Sequence, residues 1–173
     1  MNQRKPALLP AVLVAVFIVL LAVWGWTAMA VEDALWFLPT YSADASYIDL
    51  YWDGEQVRVQ PGSAGYGLLN EALHADLSHV RAYPKGAGLS EETLENLRAE
   101  GRLVEAHYAE PVRVHSWYHF IPSPVFYVPL SGHHASRDRV FNVGRGVPLE
   151  LRDIGAIAAA AEAVAQQEGL GKP

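Results

Sequence analysis

The sequence predicts an α+β fold, in which one N-terminal transmembrane helix precedes a mostly antiparallel sheet and about three further helices. Three observations predict it. An uncharged apolar run lies near the start of the chain, and a β-hairpin with alternating apolar and polar positions follows it. The remaining helices and three or four later strands are grouped along the chain instead of alternating, which favours antiparallel pairing.

The uncharged run, residues 7–30, is predicted to be a transmembrane signal anchor. As a helix it measures about 36 Å at ~1.5 Å per residue, enough to cross a hydrocarbon core about 30 Å thick. Arg4 and Lys5 precede it, whereas the first charges after it are acidic. Because basic residues stay on the cytoplasmic side, residues 1–6 are expected in the cytoplasm and the C-terminal domain outside it, at the cell membrane.

A cleaved signal peptide is the competing interpretation. Ala28-Met29-Ala30 has the small-x-small pattern of a cleavage site. The apolar core of a signal peptide is usually about 7–15 residues long, and this run is longer, so a retained anchor is favoured. The predicted organisation continues with a juxtamembrane tether, residues 31–46, and one extracytoplasmic domain, residues 47–173.

Composition excludes several classes of protein. No cysteine is present, so disulfides and thiolate metal sites are excluded. Nineteen acidic residues against thirteen Lys and Arg give a net charge of −6, which argues against nucleic acid as a partner. Arginine and alanine are abundant, which favours a bacterial source. The sequence has no G-x-S-x-G, H-E-x-x-H, P-loop or G-x-G-x-x-G motif, so neither an enzyme nor a cofactor is predicted.

The stretch YIDLYWDGEQVRVQ, residues 47–60, predicts a β-hairpin. Asp53-Gly54 is a two-residue turn signal, because both positions of such a turn need positive φ. The turn sets a register in which Asp49 faces Arg58, an opposite-charge cross-strand pair. The apolar face of the hairpin then carries Ile48, Leu50, Val57 and Val59.

Three helices are predicted after the hairpin. The first covers about residues 64–79 and has an apolar stripe at helical spacing. The second follows the N-cap Ser90 and ends at Gly101. The third is alanine-rich and extends from Asp153 to Gly169, with small side chains that permit close packing.

The later strands are predicted at residues 102–108, 112–120, 125–130 and 139–143. A three-residue turn, 109–111, is expected to join the first two into a hairpin. Prolines within the later strands indicate edges or bulges.

Four of the seven histidines lie in one stretch, residues 114–134. His115 and His119 share a face of a predicted strand but stand about 13 Å apart at ~3.3 Å per residue. Zinc–nitrogen bonds are about 2 Å long, so these two residues cannot hold one ion. His133 and His134 are neighbours in a predicted loop. The stretch therefore does not predict a local metal site.

A different cluster follows from the predicted hairpin of residues 102–120. Glu105 would face His115, with His107 diagonal to it on the same polar face. These three residues are the candidates for weak metal binding or for joint titration near neutral pH. An ordinary half-exposed sheet face is the favoured interpretation, so no metal is predicted.

The predicted function is a membrane-anchored extracytoplasmic binding or accessory domain that contacts a protein partner at the membrane. The candidate contact residues are Tyr47, Tyr51, Arg113, Trp117 and His119. Two alternatives stay open: a ligand-, metal- or pH-sensing domain that uses the face of Glu105, His107 and His115, and a hydrolase whose site has no recognisable motif.

Overall fold

A computed structural model describes residues 8–38, 40–82, 88–118, 120–143 and 148–171. The helices within these ranges are α1 Leu8–Val31, α2 Ala64–Leu77, α3 Glu91–Glu100, α4 Gly132–Ala135 and α5 Gly155–Glu168. The strands are β1 Tyr47–Trp52, β2 Glu55–Val59, β3 Val80–Ala82, β4 Arg102–Val112, β5 Ser123–Pro129, β6 Arg139–Asn142 and β7 Leu149–Leu151. The predicted α+β class is confirmed, with more strands and one more short helix than the sequence indicates.

The seven strands form one antiparallel sheet in the order β2-β1-β4-β5-β6-β7-β3. The predicted register of the first hairpin is confirmed, with Asp49 opposite Arg58. Its turn has the expected backbone, because φ is 51° at Asp53 and 91° at Gly54. The Asp53-Gly54 turn therefore sets the register of β1 and β2 at one edge of the sheet.

The predicted hairpin of residues 102–120 is wrong. Strand β4 continues through residues 109–111 without turning and pairs with β1 on one side and β5 on the other. β1 and β5 occupy the two edges of β4, so the segment that follows β4 does not pair with it. Residues 113–118 are irregular chain, with Val114 and Ser116 buried. Pro111 is tolerated because the β4–β5 register shifts between His107 and Val112, where regular pairing is interrupted.

One face of the sheet carries the main core. Helices α2 and α5 pack side by side on it and bury Leu69, Leu73, Ile157 and Val164. Helices α2 and α5 approach each other closely. A Cβ on Gly65 of α2 would lie 3.2 Å from a methyl of Val164 of α5. Strand residues of this face are fully buried, among them Ile48, Leu50, Val104, Ala106 and Phe126.

Helix α3 covers part of the opposite face. Leu94 and Leu97 pack against Leu103 of β4, with Tyr51 and Tyr127 beside them. The predicted cap of α3 is confirmed, because the backbone N–H of Thr93 donates to the hydroxyl oxygen of Ser90 at 3.1 Å. The sheet therefore has apolar cover on both faces at this end.

Helix α5 takes its N-terminal cap from another helix. Asp76 of α2 is buried, and its carboxylate accepts a hydrogen bond from the N–H of Ile157 at 2.9 Å. Burial raises the pKa of Asp76 above its ordinary value, and the backbone donors of α5 oppose that shift. Asp153, at the predicted start of the helix, accepts instead from Gly155 at 2.8 Å.

Helix α1 is 24 residues long, and it is long and apolar enough to cross a membrane. The segment after it packs on the domain. The N–H of Tyr41 donates to Ser78 Oγ at 2.9 Å, and that of Ala45 donates to Asn70 Oδ1 at 3.0 Å. Tyr41 and Ala45 also belong to the main core, so the second part of the predicted tether is built into the fold.

The turn of the first hairpin generates a stability prediction. A Cβ on Gly54 would lie 2.9 Å from the carbonyl oxygen of Ala99, whereas a Cβ on Gly62, which also has positive φ, meets nothing within 4 Å. We expect Gly54→Ala to lose about 2–3 kcal/mol of unfolding free energy and Gly62→Ala only about 1 kcal/mol. Denaturant unfolding of the detergent-solubilised protein measures both, and equal losses would contradict the close contact at Gly54.

Candidate functional site

A cluster of charged side chains lies on the sheet face that α3 partly covers. We call it the Asp49–Glu105 cluster, and it consists of Asp49, Arg58, Arg98, Glu105 and His107. The register brings it together, because Asp49 of β1 stands between Arg58 of β2 and Glu105 of β4. Arg98 reaches it from α3.

Both carboxylates of the cluster are buried and paired with arginine. Arg58 donates to Asp49 with two parallel bonds, Nε to Oδ1 at 2.7 Å and Nη2 to Oδ2 at 2.8 Å. Arg98 Nε donates to Glu105 Oε1 at 2.7 Å. The side chains of Asp49 and Glu105 are only 3% and 2% exposed. The hydrogen bonds to the two carboxylates raise the pKa of each arginine.

His107 points its Nε2 atom between the two carboxylates. This atom lies 3.4 Å from Glu105 Oε2 and 3.7 Å from Asp49 Oδ2. It is buried, and within the described residues it has no hydrogen-bond partner. The ring stacks on Tyr47 at 4.3 Å between centroids, and the guanidinium of Arg58 also contacts the Tyr47 ring.

The three acceptor atoms of Asp49, Glu105 and His107 lie within 4.8 Å of one another, a spacing compatible with one metal ion. The charge balance opposes that use. Each carboxylate already has a guanidinium partner at hydrogen-bond distance, so a divalent cation would face two fixed positive charges. The arrangement favours a structural ion-pair network with an enclosed imidazole.

His115 lies outside this cluster. It does not face Glu105, because β1 and β5 occupy both edges of β4 and place Asp49 and Tyr127 beside Glu105. Instead, His115 Nδ1 lies 2.9 Å from an oxygen of Asp33, a buried residue just after α1. Two of the three candidate ligands, Glu105 and His107, are therefore brought together, and the third is not.

The candidate contact residues are distributed over several surfaces. Tyr47 is half-buried in its stack with His107, and Tyr51 is packed beneath α3. Arg113 is half-buried beside a groove of about 260 Å³. Trp117 is 64% exposed, and His119 lies outside the described residues.

A second group of contacts joins α1 to the domain. The carboxylate of Asp33 lies 2.9 Å from His115 Nδ1. Three residues further along, the ring of Trp36 contacts that of Trp117 at a tilt of 59°, with 3.9 Å between ring centroids. A groove of about 250 Å³ lies between these rings and residues 80–81. Asp33 and His115 are 82 positions apart, so no local pattern could reveal their pairing.

No family model matches the chain, and neither a curated protein nor a solved structure is significantly similar to it. The fold and its contacts define a class only: an antiparallel α+β domain joined to one exposed apolar helix. Its function is inferred from the geometry of its own residues.

Comparison of Arg98 with Arg102 tests whether the ion pair in the cluster contributes to stability. Arg98 pairs with buried Glu105, whereas Arg102 pairs with Asp53, which is 43% exposed. We expect Arg98→Met to cost about 1–3 kcal/mol, because it leaves a buried carboxylate unpaired. Arg102→Met should cost less than about 1 kcal/mol, as exposed pairs do.

Denaturant unfolding measures the loss of unfolding free energy in both variants. Adding Glu105→Gln removes the buried charge, and so separates the cost of an unpaired carboxylate from the cost of lost packing. The double variant Arg98→Met/Glu105→Gln should regain most of the loss, because no unpaired buried charge remains. Equal losses for Arg98→Met and Arg102→Met, with no recovery in the double variant, would contradict the proposed role of the pair.

Proposed function

We propose that the protein is a single-pass, membrane-anchored binding or accessory domain that contacts a protein partner at the membrane surface. The observation that carries the proposal is α1. Its most apolar 18-residue window has no residue buried inside the protein. Burying one large apolar side chain is worth about 1.5–3 kcal/mol, so a helix that exposes so many of them favours a bilayer over water.

The contacts around the end of α1 support a retained anchor over a cleaved signal peptide. The N–H of Asp33 donates to the carbonyl of Ala28 at 3.0 Å, and Trp24 Nε1 donates to the carbonyl of Ala34 at 3.0 Å. Cleavage after Ala30 would remove one partner from each bond. Arg4 and Lys5 precede the helix, and the next basic residue after it is Arg58, so the positive-inside rule favours a cytoplasmic N-terminus and an extracytoplasmic domain. The abundance of arginine and alanine favours a bacterial source.

Of the predicted contact residues, Tyr47 is the most suitable for a protein partner, together with Arg58 beside it, which was not among them. Arg58 is half-exposed and lies 4.2 Å from the Tyr47 ring. Tyrosine and arginine are enriched in the energetically dominant parts of protein interfaces. Their position is fixed by the Asp49–Arg58 bonds, so little side-chain freedom is lost on binding.

Membrane fractionation tests the anchor. We expect the full-length protein to stay in the pellet after a carbonate wash, with residues 1–30 still attached. The double variant Val16→Arg/Leu20→Arg should lose much of this retention, because each central arginine adds about 2.5–3.5 kcal/mol to insertion. Leu68→Arg, at an exposed position of α2, is the control and should fractionate like wild type. A soluble protein that begins at Val31 would refute the anchor.

Site-specific cross-linking in intact membranes tests the partner. Because the chain has no cysteine, Gln56→Cys on β2 provides a single attachment site next to Arg58 for a photoreactive group. We expect a protein adduct of one defined mass from this site and none from Gln167→Cys on the exposed side of α5. Addition of Arg58→Ala should weaken the adduct. No adduct at Gln56, or the same products at both sites, would argue against a partner at this surface.

A further inference from the structure

The chain turns back along α1 after the helix ends. Helix α1 extends to Val31, yet the carbonyl of Ala34 accepts a hydrogen bond from the indole of Trp24. Trp24 lies seven residues before Val31, which is about 10 Å along the helix axis at ~1.5 Å per residue. The first residues of the domain are therefore level with the last two turns of α1, and not beyond its end.

Exposed apolar side chains are concentrated in a few stretches of the domain. Eight large apolar side chains outside α1 are exposed in the described residues, and seven of them lie in three short stretches, the first of which directly follows α1. We call these seven the apolar rim, and its members are Leu35, Phe37, Leu38, Trp117, Tyr118, Ile121 and Val143. The eighth, Leu68, lies on α2. Such a concentration on one part of a surface marks an interaction site.

The contacts of the fold hold the three segments of the rim together. Trp36 joins the first segment to the second by a tilted ring contact with Trp117, and Asp33 contacts His115 just before it. The side-chain amide of Asn142 donates to the carbonyl of Ile121 at 3.3 Å, which brings neighbouring Val143 beside the second segment. The rim is a built surface, since each segment is tied to another by a named contact.

We propose that the apolar rim lies in the lipid interface of the membrane that α1 crosses, so that the domain is seated on the bilayer. The inference rests on the proposed span of α1. If α1 spans, Trp24 lies near the membrane–water boundary, where indoles are favoured, because residues Leu8–Trp24 provide about 25 Å of helix at ~1.5 Å per residue. The bond from Trp24 to Ala34 then holds the first rim segment at the same depth.

The residue types of the rim fit a lipid interface. Four of the five tryptophans lie in the last turns of α1 or in the Trp36–Trp117 contact, and Trp26 is 75% exposed. Aromatic residues are typical of the headgroup region of membranes. Arg81 is exposed and lines the groove beside Trp117, where its charge can reach phosphate groups while its stem stays against apolar atoms.

Nitroxide labelling at single cysteines tests the depth of the rim in the full-length protein, reconstituted into phosphatidylcholine vesicles. The labelled variants are Ile121→Cys and Phe37→Cys in the rim, Leu20→Cys in the middle of α1 and Gln167→Cys on α5. Relaxation by oxygen, which concentrates in lipid, is compared with relaxation by a water-soluble nickel chelate. We expect oxygen to dominate at Leu20 and, less strongly, at both rim positions, and the nickel chelate to dominate at Gln167.

The outcomes separate the rim from the anchor. If the Leu20 label is in lipid while both rim labels are as accessible to nickel as Gln167, the anchor stands and the rim assignment is overturned. Rim labels shielded from both reagents would show a protein cover, which also overturns the lipid assignment. A Leu20 label accessible to nickel would overturn the span of α1 and the seating that depends on it.

Discussion

The two-sided pairing of β4 is the constraint on which the rest of the structure depends. Residues 102–107 pair with β1 along one edge, and residues 103–107 and Val112 pair with β5 along the other, so β4 joins the N-terminal hairpin to the later strands. Its side chains serve both faces: Val104 and Ala106 enter the core beneath α2 and α5, while Leu103 and Glu105 meet α3.

Local chemistry predicted the elements whose signals are complete within a few residues. Asp53-Gly54 fixed the hairpin register, and Ser90 with Gly101 bounded α3, because turns and caps act over three or four positions. The prediction that residues 102–120 form a hairpin was wrong. The apolar–polar alternation of the sequence continues past residues 109–111 and does not indicate which strands pair with each edge of β4. In the charged cluster, Asp49–Arg58 was predictable from the hairpin, but Arg98–Glu105 required the docking of α3.

Buried charged groups fix the relative positions of the hairpin, α3 and α5 in this domain. Asp49 and Glu105 each have a guanidinium partner, and Asp76 binds the first N–H groups of α5. A buried pair is often no more stabilising than a well-packed apolar contact, but a mispaired charge is costly. These groups therefore penalise a shifted hairpin, a displaced α3 or a rotated α5 more than they stabilise the correct arrangement. His107 extends the network, although its Nε2 atom has no hydrogen-bond partner in the described part of the chain.

The junction between α1 and the domain has a mechanical consequence. Val31 is buried, Asp33 is bound to His115, and the Trp24 indole is bound to the Ala34 carbonyl, so the connection is a short packed joint and not a flexible stalk. Because these contacts fix the end of α1 against the domain, we expect a rotation or a change in tilt of α1 to reorient the sheet and the surface of Tyr47 and Arg58 with it.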